Sequence, residues 1–116
     1  MSKRDTHILL EDILESCKKI TSYTQGLTFK TFISDDKTLD AVIRNFEIIG
    51  ETANRIPENY CNQHTEIAWH QMVGMRNRLV HAYFGVDYSI IWDVVKNTLP
   101  LFMKQINDIL SGGINQ

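Results

Sequence analysis

What most constrains this chain is the spacing of its apolar residues. In almost every segment they recur three and four positions apart, the period that lines one face of an α-helix. No stretch alternates apolar and polar convincingly enough to read as a strand. Leu10, Ile13, Leu14, Cys17, Ile20 and Thr24 form one such stripe and predict a first helix over about 5–24, with Gly26 as its stop signal. Leu39, Val42, Ile43, Phe46, Ile49 and Ala53 form a second, which Ser34 or Asp35 can cap and Pro57 closes. A third helix is expected over about 68–82. Gly85 interrupts the pattern, and Asp87 then caps a last helix running to about Leu110, with Ile91, Val94, Val95, Thr98, Phe102, Ile106 and Ile109 as its buried stripe.

The breaks carry information of their own. Residues 27–34 hold Phe29, Phe32 and Ile33 and read as a packed loop. Residues 57–67 read as a connector with room for a short helical turn after Pro57. Gly50 sits inside the second helix, where it costs about 1 kcal/mol relative to alanine, so a close helix–helix crossing is expected there. Pro100 lies inside the last stripe. It removes a backbone bond to the Lys96 carbonyl and predicts a kink. The expected architecture is all-α, an antiparallel four- to five-helix bundle. It forms a single domain over 1–116 with an ordered core of about 5–110.

Composition narrows the function. At 116 residues with 43% hydrophobic and 22% charged side chains, the chain can bury a core without disulfides or metal. Apolar runs stop at three or four residues, and the N-terminus lacks a signal-peptide core, so a cytoplasmic protein with no membrane contact is expected. Cys17 and Cys61 make neither a disulfide framework nor a paired-cysteine metal site, and read as reduced thiols packed as small hydrophobes. Lys and Arg number 12 against 14 Asp and Glu, a net charge of −2. That excludes a broadly basic surface, so any nucleic-acid function must rely on a local cluster of cations.

One cluster answers that description. Arg76, Asn77, Arg78, His81 and Tyr83 fall within eight positions of a helix about to end. Arginine offers a fixed fork of donors to phosphate oxygens. Histidine gives or takes a proton near neutral pH. Four residues apart, Asn77 and His81 share a face, as do Arg76 and Tyr83 at seven. Arg76 and His81 stand about 140° apart around the axis, so one straight helix does not aim both at one atom. Convergence needs a long reach by Arg76, a distorted helix end near Gly85, or a second copy of the helix across a two-fold axis. Read blind, the same face also suits a solvated surface or a buried polar network. His64 and His70 have no partner at ligand spacing, and no metal site or cofactor is expected. Arg44, Glu47 and Glu51 share a face of the second helix and can pair.

The segment Arg76 to Tyr83 matches RxxxxHxY, and the matching blocks extend well beyond it. They are Ala41-Val42-Ile43-Arg44-Asn45-Phe46-Glu47-Ile48-Ile49-Gly50-Glu51, Ile56-Pro57, Trp69, Gly74-Met75-Arg76-Asn77 and His81-Ala82-Tyr83-Phe84-Gly85-Val86-Asp87. This ordered series covers nearly the whole chain and resembles the HepT branch of the HEPN superfamily, the ribonuclease toxins of MNT–HEPN toxin–antitoxin systems. The resemblance implies an α-helical homodimer with a cleft built from two motif helices. It also implies metal-independent endoribonuclease activity, with tRNA or mRNA as the expected substrate; attack by the ribose 2′-hydroxyl with histidine as acid–base would leave a 2′,3′-cyclic phosphate. By the same resemblance Arg76 and His81 form the catalytic pair, Asn77 accompanies the arginine, and a nucleotidyltransferase antitoxin AMPylates Tyr83; Arg78 reads as a supporting surface or phosphate-facing charge. Arg44, Glu47 and Glu51 match family positions and read first as a structural or interface network, with a supporting role near the cleft as the other reading. A non-catalytic helical dimer, serving as the binding or nucleotide-sensing half of a nucleotidyltransferase complex, is the alternative that keeps fold and partner.

Overall fold

The computed structural model describes residues 3–82 and 85–112, and every element in them is helical. Four long pieces build the bundle. They are α1 (Lys3–Thr24), α3 (Asp36–Ala53), α5 (Trp69–Val80) and a continuous run from Tyr88 to Leu110. Two short helices, α2 (Phe29–Ile33) and α4 (Glu58–Gln63), fill the connections.

The stripes read from the sequence are the faces that pack. Ile13, Cys17 and Ile20 of α1 are buried, as are Val42, Phe46 and Ile49 of α3. Helix α3 packs on α1 along one side and on α5 along the other, so it is the central member. Helix α1 ends where Gly26 turns the chain at φ +79°, a conformation that favours glycine. Asp35 is the cap of α3, its carboxylate accepting from the Thr38 amide at 3.2 Å. Helix α3 itself ends at Ala53, before Pro57 is reached.

The stretch expected to be a loop is helical at its centre. Thr28 and Thr31 bond reciprocally across the first turn of α2, which places Phe32 fully inside, 4.9 Å from the Trp92 ring. A five-residue helix is too short to display a 3.6-residue period, so its signal lay in the cap.

The distortion expected near Pro100 includes a π-helical turn just before it. The run from Tyr88 comprises α6 (Tyr88–Asp93), a π-helical turn (Val94–Thr98) and α7 (Leu99–Leu110). The Leu99 amide reaches back five residues to the Val94 carbonyl. A proline ring clashes with the carbonyl four residues earlier in a regular α-helix. A widened turn just before it relieves that conflict while the helix continues. Asp87 caps this run as expected, accepting from the Ser89 amide at 3.0 Å and the Ser89 hydroxyl at 2.6 Å.

Candidate active site

Helix α5 is anchored from below. Trp69, Met72, Met75 and Leu79 follow the three-and-four spacing and are buried, with the Trp69 indole N–H donating to the His64 carbonyl at 3.1 Å. That orientation leaves Arg76 half-buried, and Asn77, Arg78 and His81 exposed, around the last turn.

Arg76 lies where α3 and α5 cross most closely. A Cβ built on Gly50 would overlap the Arg76 Cβ and lie 2.8 Å from the Met72 carbonyl oxygen. The crossing expected from a mid-helix glycine is therefore real, and the arginine stem is what occupies the space. The guanidinium then meets two acceptors. Its Nη1 donates to Asn77 Oδ1 at 3.0 Å, and its Nη2 lies 3.7 Å from Glu51 Oε2 on α3. The Nε atom is buried and has no hydrogen-bond partner among the described residues.

His81 terminates α5. Its backbone N–H donates to the Asn77 carbonyl at 3.1 Å, and its ring Nδ1 lies 2.9 Å from that same oxygen. A carbonyl only accepts, so this contact requires the proton on Nδ1. In the neutral ring Nε2 is then the basic nitrogen. Asn77 thus joins the two motif residues, holding Arg76 with its side chain and His81 with its main chain. Arg76 lies within α5 and His81 at its C-cap, and Asn77 contacts both.

The other expected residues divide. Arg44 pairs with Glu47 at 3.7 Å, one turn away on α3, whereas Glu51 turns to Arg76. Arg78, about 200° of helical rotation from Arg76, lies at the junction of α5 and α6. There it lines a small cavity of about 50 Å³ with Met75, Leu79 and Asp87 among its walls. The Asp87 carboxyl is held below the ordinary carboxylate range, mainly by the Ser89 hydrogen bonds and to a lesser degree by the Arg78 charge. Tyr83 lies outside the described residues. His64 stacks on Tyr60 at 4.6 Å between ring centroids and lies 3.9 Å from Glu66, away from α5's last turn in sequence. His7 pairs with Glu11 on the exposed face of α1.

Two features escaped the sequence. Glu51 and Arg76 are partners from different helices, invisible to rules that pair residues one turn apart. Asn77 contributes a main-chain atom, which no side-chain pattern encodes. Gly50 was the available signal for the first.

The sequence matches the family described as "Ribonuclease HepT-like" over residues 13–109. It is 43% identical to the "Putative RNase MJ0127" of Methanocaldococcus jannaschii over 110 residues, 95% of this chain and 91% of the relative. It is 45% identical to the "Probable ribonuclease HepT" of Thermococcus cleftensis over 98 residues, 84% of this chain and 89% of the relative. No solved structure matches.

Proposed function

The chain belongs to the HepT-like ribonuclease family, and from that premise we propose that it is a metal-independent endoribonuclease toxin with Arg76 and His81 as its catalytic pair. The observation that carries this reading is the Asn77 bridge, which ties a phosphate-binding fork and a titratable ring to one residue. Two chains pair so that their α5 ends form one cleft and two His81 rings face the RNA.

The ribose 2′-hydroxyl attacks the adjacent phosphorus, and the bond from phosphorus to the 5′-oxygen breaks. One His81 Nε2 takes the 2′-hydroxyl proton, and its counterpart across the dimer, protonated, gives a proton to the leaving oxygen. Asn77 holds each ring by Nδ1–H, which supports Nε2 as the exchanging atom. Arg76 stabilises the charge that develops on the phosphorane oxygens. The products are a 2′,3′-cyclic phosphate and a 5′-hydroxyl. Asn77 orients Arg76, and Arg78 adds a phosphate contact at the edge of the cleft.

Control comes from a nucleotidyltransferase antitoxin that transfers AMP from ATP to the Tyr83 hydroxyl, which attacks the α-phosphorus as pyrophosphate leaves. The added phosphate brings negative charge and bulk two positions after His81 in the sequence, which would repel RNA. The test is to purify the protein alone, determine its intact mass, and incubate it with tRNA and mRNA beside a His81→Ala variant. The unmodified parent should cleave, and His81→Ala should be slower by about 10²–10⁴-fold. Equal cleavage by both would overturn the assignment. An unmodified dimer that cleaves neither RNA would instead support the binding half of a nucleotidyltransferase complex.

A further inference from the structure

We infer that Glu51 is a positioning residue for Arg76, and that Gly50 and Glu51 together form a seat on α3 that fixes the guanidinium for the scissile phosphate. The inference rests on the ribonuclease reading above and extends it to a second helix.

Three observations converge on the seat. First, the tightest approach of α3 to α5 falls on the stem of Arg76, since a Cβ at Gly50 would overlap the Arg76 Cβ and lie 3.0 Å from its Cγ. The stem is therefore held against bare backbone, and the head emerges beside the next residue of α3. Second, that residue is an acid, with Oε2 3.7 Å from Nη2, while Asn77 Oδ1 takes Nη1 at 3.0 Å. The two terminal nitrogens face groups on different helices, and Nε is buried. A planar fork with a partner at each tip is biased toward one orientation. Third, the pair lies at the surface, with side chains 32% and 48% exposed for Arg76 and Glu51. A solvent-screened pair of this kind adds little to stability, and an acid beside a phosphate-binding arginine opposes RNA binding. Orientation is the benefit that remains.

This gives Glu51 a signature that neither a structural nor a purely repulsive role shares. Removing it should slow the chemical step without weakening RNA binding. Single-turnover cleavage of labelled RNA supplies the first readout. Binding of the same RNA carrying 2′-O-methyl groups, which lacks the attacking hydroxyl, supplies the second. Glu51→Ala should cleave about tenfold more slowly or worse while binding the 2′-O-methyl RNA as tightly as the parent or more tightly. Glu51→Gln keeps an oxygen acceptor at the same reach and should recover most of the rate; it also serves should Glu51→Ala fold poorly. In an Arg76→Ala background, Glu51→Ala should have no further effect, because the residue acts through the arginine. Parent-like cleavage by Glu51→Ala, a loss of RNA binding, or an additive loss on Arg76→Ala would each overturn the positioning role. Parent-like cleavage by Arg76→Ala itself would instead bring down the ribonuclease assignment.

Discussion

The Asn77 carbonyl accepts from both the backbone and the ring of His81, which puts the ring proton of the neutral form on Nδ1; in the proposed reaction Nε2 is then the exchanging atom. Because this is a main-chain atom, Asn77→Ala keeps the His81 contact and loses only the bond to Arg76. Asn77→Ala should therefore cleave about tenfold more slowly, a milder loss than His81→Ala produces, with the pH profile of the rate unchanged in shape. A shifted profile would show that the side chain also tunes His81. The placement of Arg76, Asn77 and Arg78 on one helix was legible from spacing, since α5 is regular to Val80. Glu51 was visible as a family position with a supporting role among its readings, but its pairing with Arg76 was not, because that partner stands 25 positions away and a single sequence does not report inter-helix contacts. The cysteines behave as read. Cys17 is buried and desolvation pushes its thiol up to about 12, while half-buried Cys61 is raised less, again chiefly by burial. A thiol reagent at pH 8 should modify Cys61 slowly and Cys17 only after unfolding, as peptide mapping would show. Fast native-state labelling of Cys17 would contradict its packing.

Among the elements, the long helices declared themselves by their stripes, and the short ones did not. Helix α2 was hidden by its length, and the π-turn by the absence of any sequence period for it. Pro100 marked the place of the distortion without revealing its form. Gly50 is the element-scale residue whose role was correctly anticipated. Gly50→Ala should destabilise the fold by about 1–3 kcal/mol, since the methyl group must push α5 off α3. A chemical-denaturation midpoint matching the parent would mean the crossing gives way freely. The caps make a separate prediction about pH. Asp35 is held below its ordinary range mainly by the Thr38 hydroxyl, and Asp87 mainly by the Ser89 hydroxyl. The unfolded chain then binds these protons more readily than the folded chain does. The two caps stabilise above the ordinary aspartate pKa of about 4, and that contribution is lost as pH falls through the lowered folded values. Melting temperature should drop between pH 5 and 3, and the Asp35→Asn, Asp87→Asn double variant should drop less steeply from a lower starting point. Parallel profiles would remove the caps from the acid response.

For the whole molecule, a chain of net charge −2 and extents of 42 × 30 × 20 Å must hold RNA with little help from its general surface. Several of its other cations sit in ion pairs, as Arg76 itself does with Glu51. Lys19 pairs with Glu15, Lys104 with Asp108 and Arg44 with Glu47. In the proposed dimer the local supply is Arg76 and Arg78 from each protomer, four guanidinium groups at one seam. Each phosphate neutralised on a single strand contributes roughly 0.7 to the slope of log affinity against log salt, so four contacts give a slope of about −3. Titrating 2′-O-methyl RNA at several salt concentrations measures this slope directly. The placement of Arg78 on a different side of α5 from Arg76 adds a second expectation. Arg78→Ala should lower the slope by roughly 1.4, two contacts at 0.7 each, while leaving the cleavage rate of bound RNA near that of the parent. A slope steeper than about −6 would mean that the RNA follows a long track of basic residues, and the small-cleft account would fail. A slope unmoved by Arg78→Ala would leave Arg78 with its structural place beside Asp87 and assign the phosphate contacts to Arg76 and to other cations.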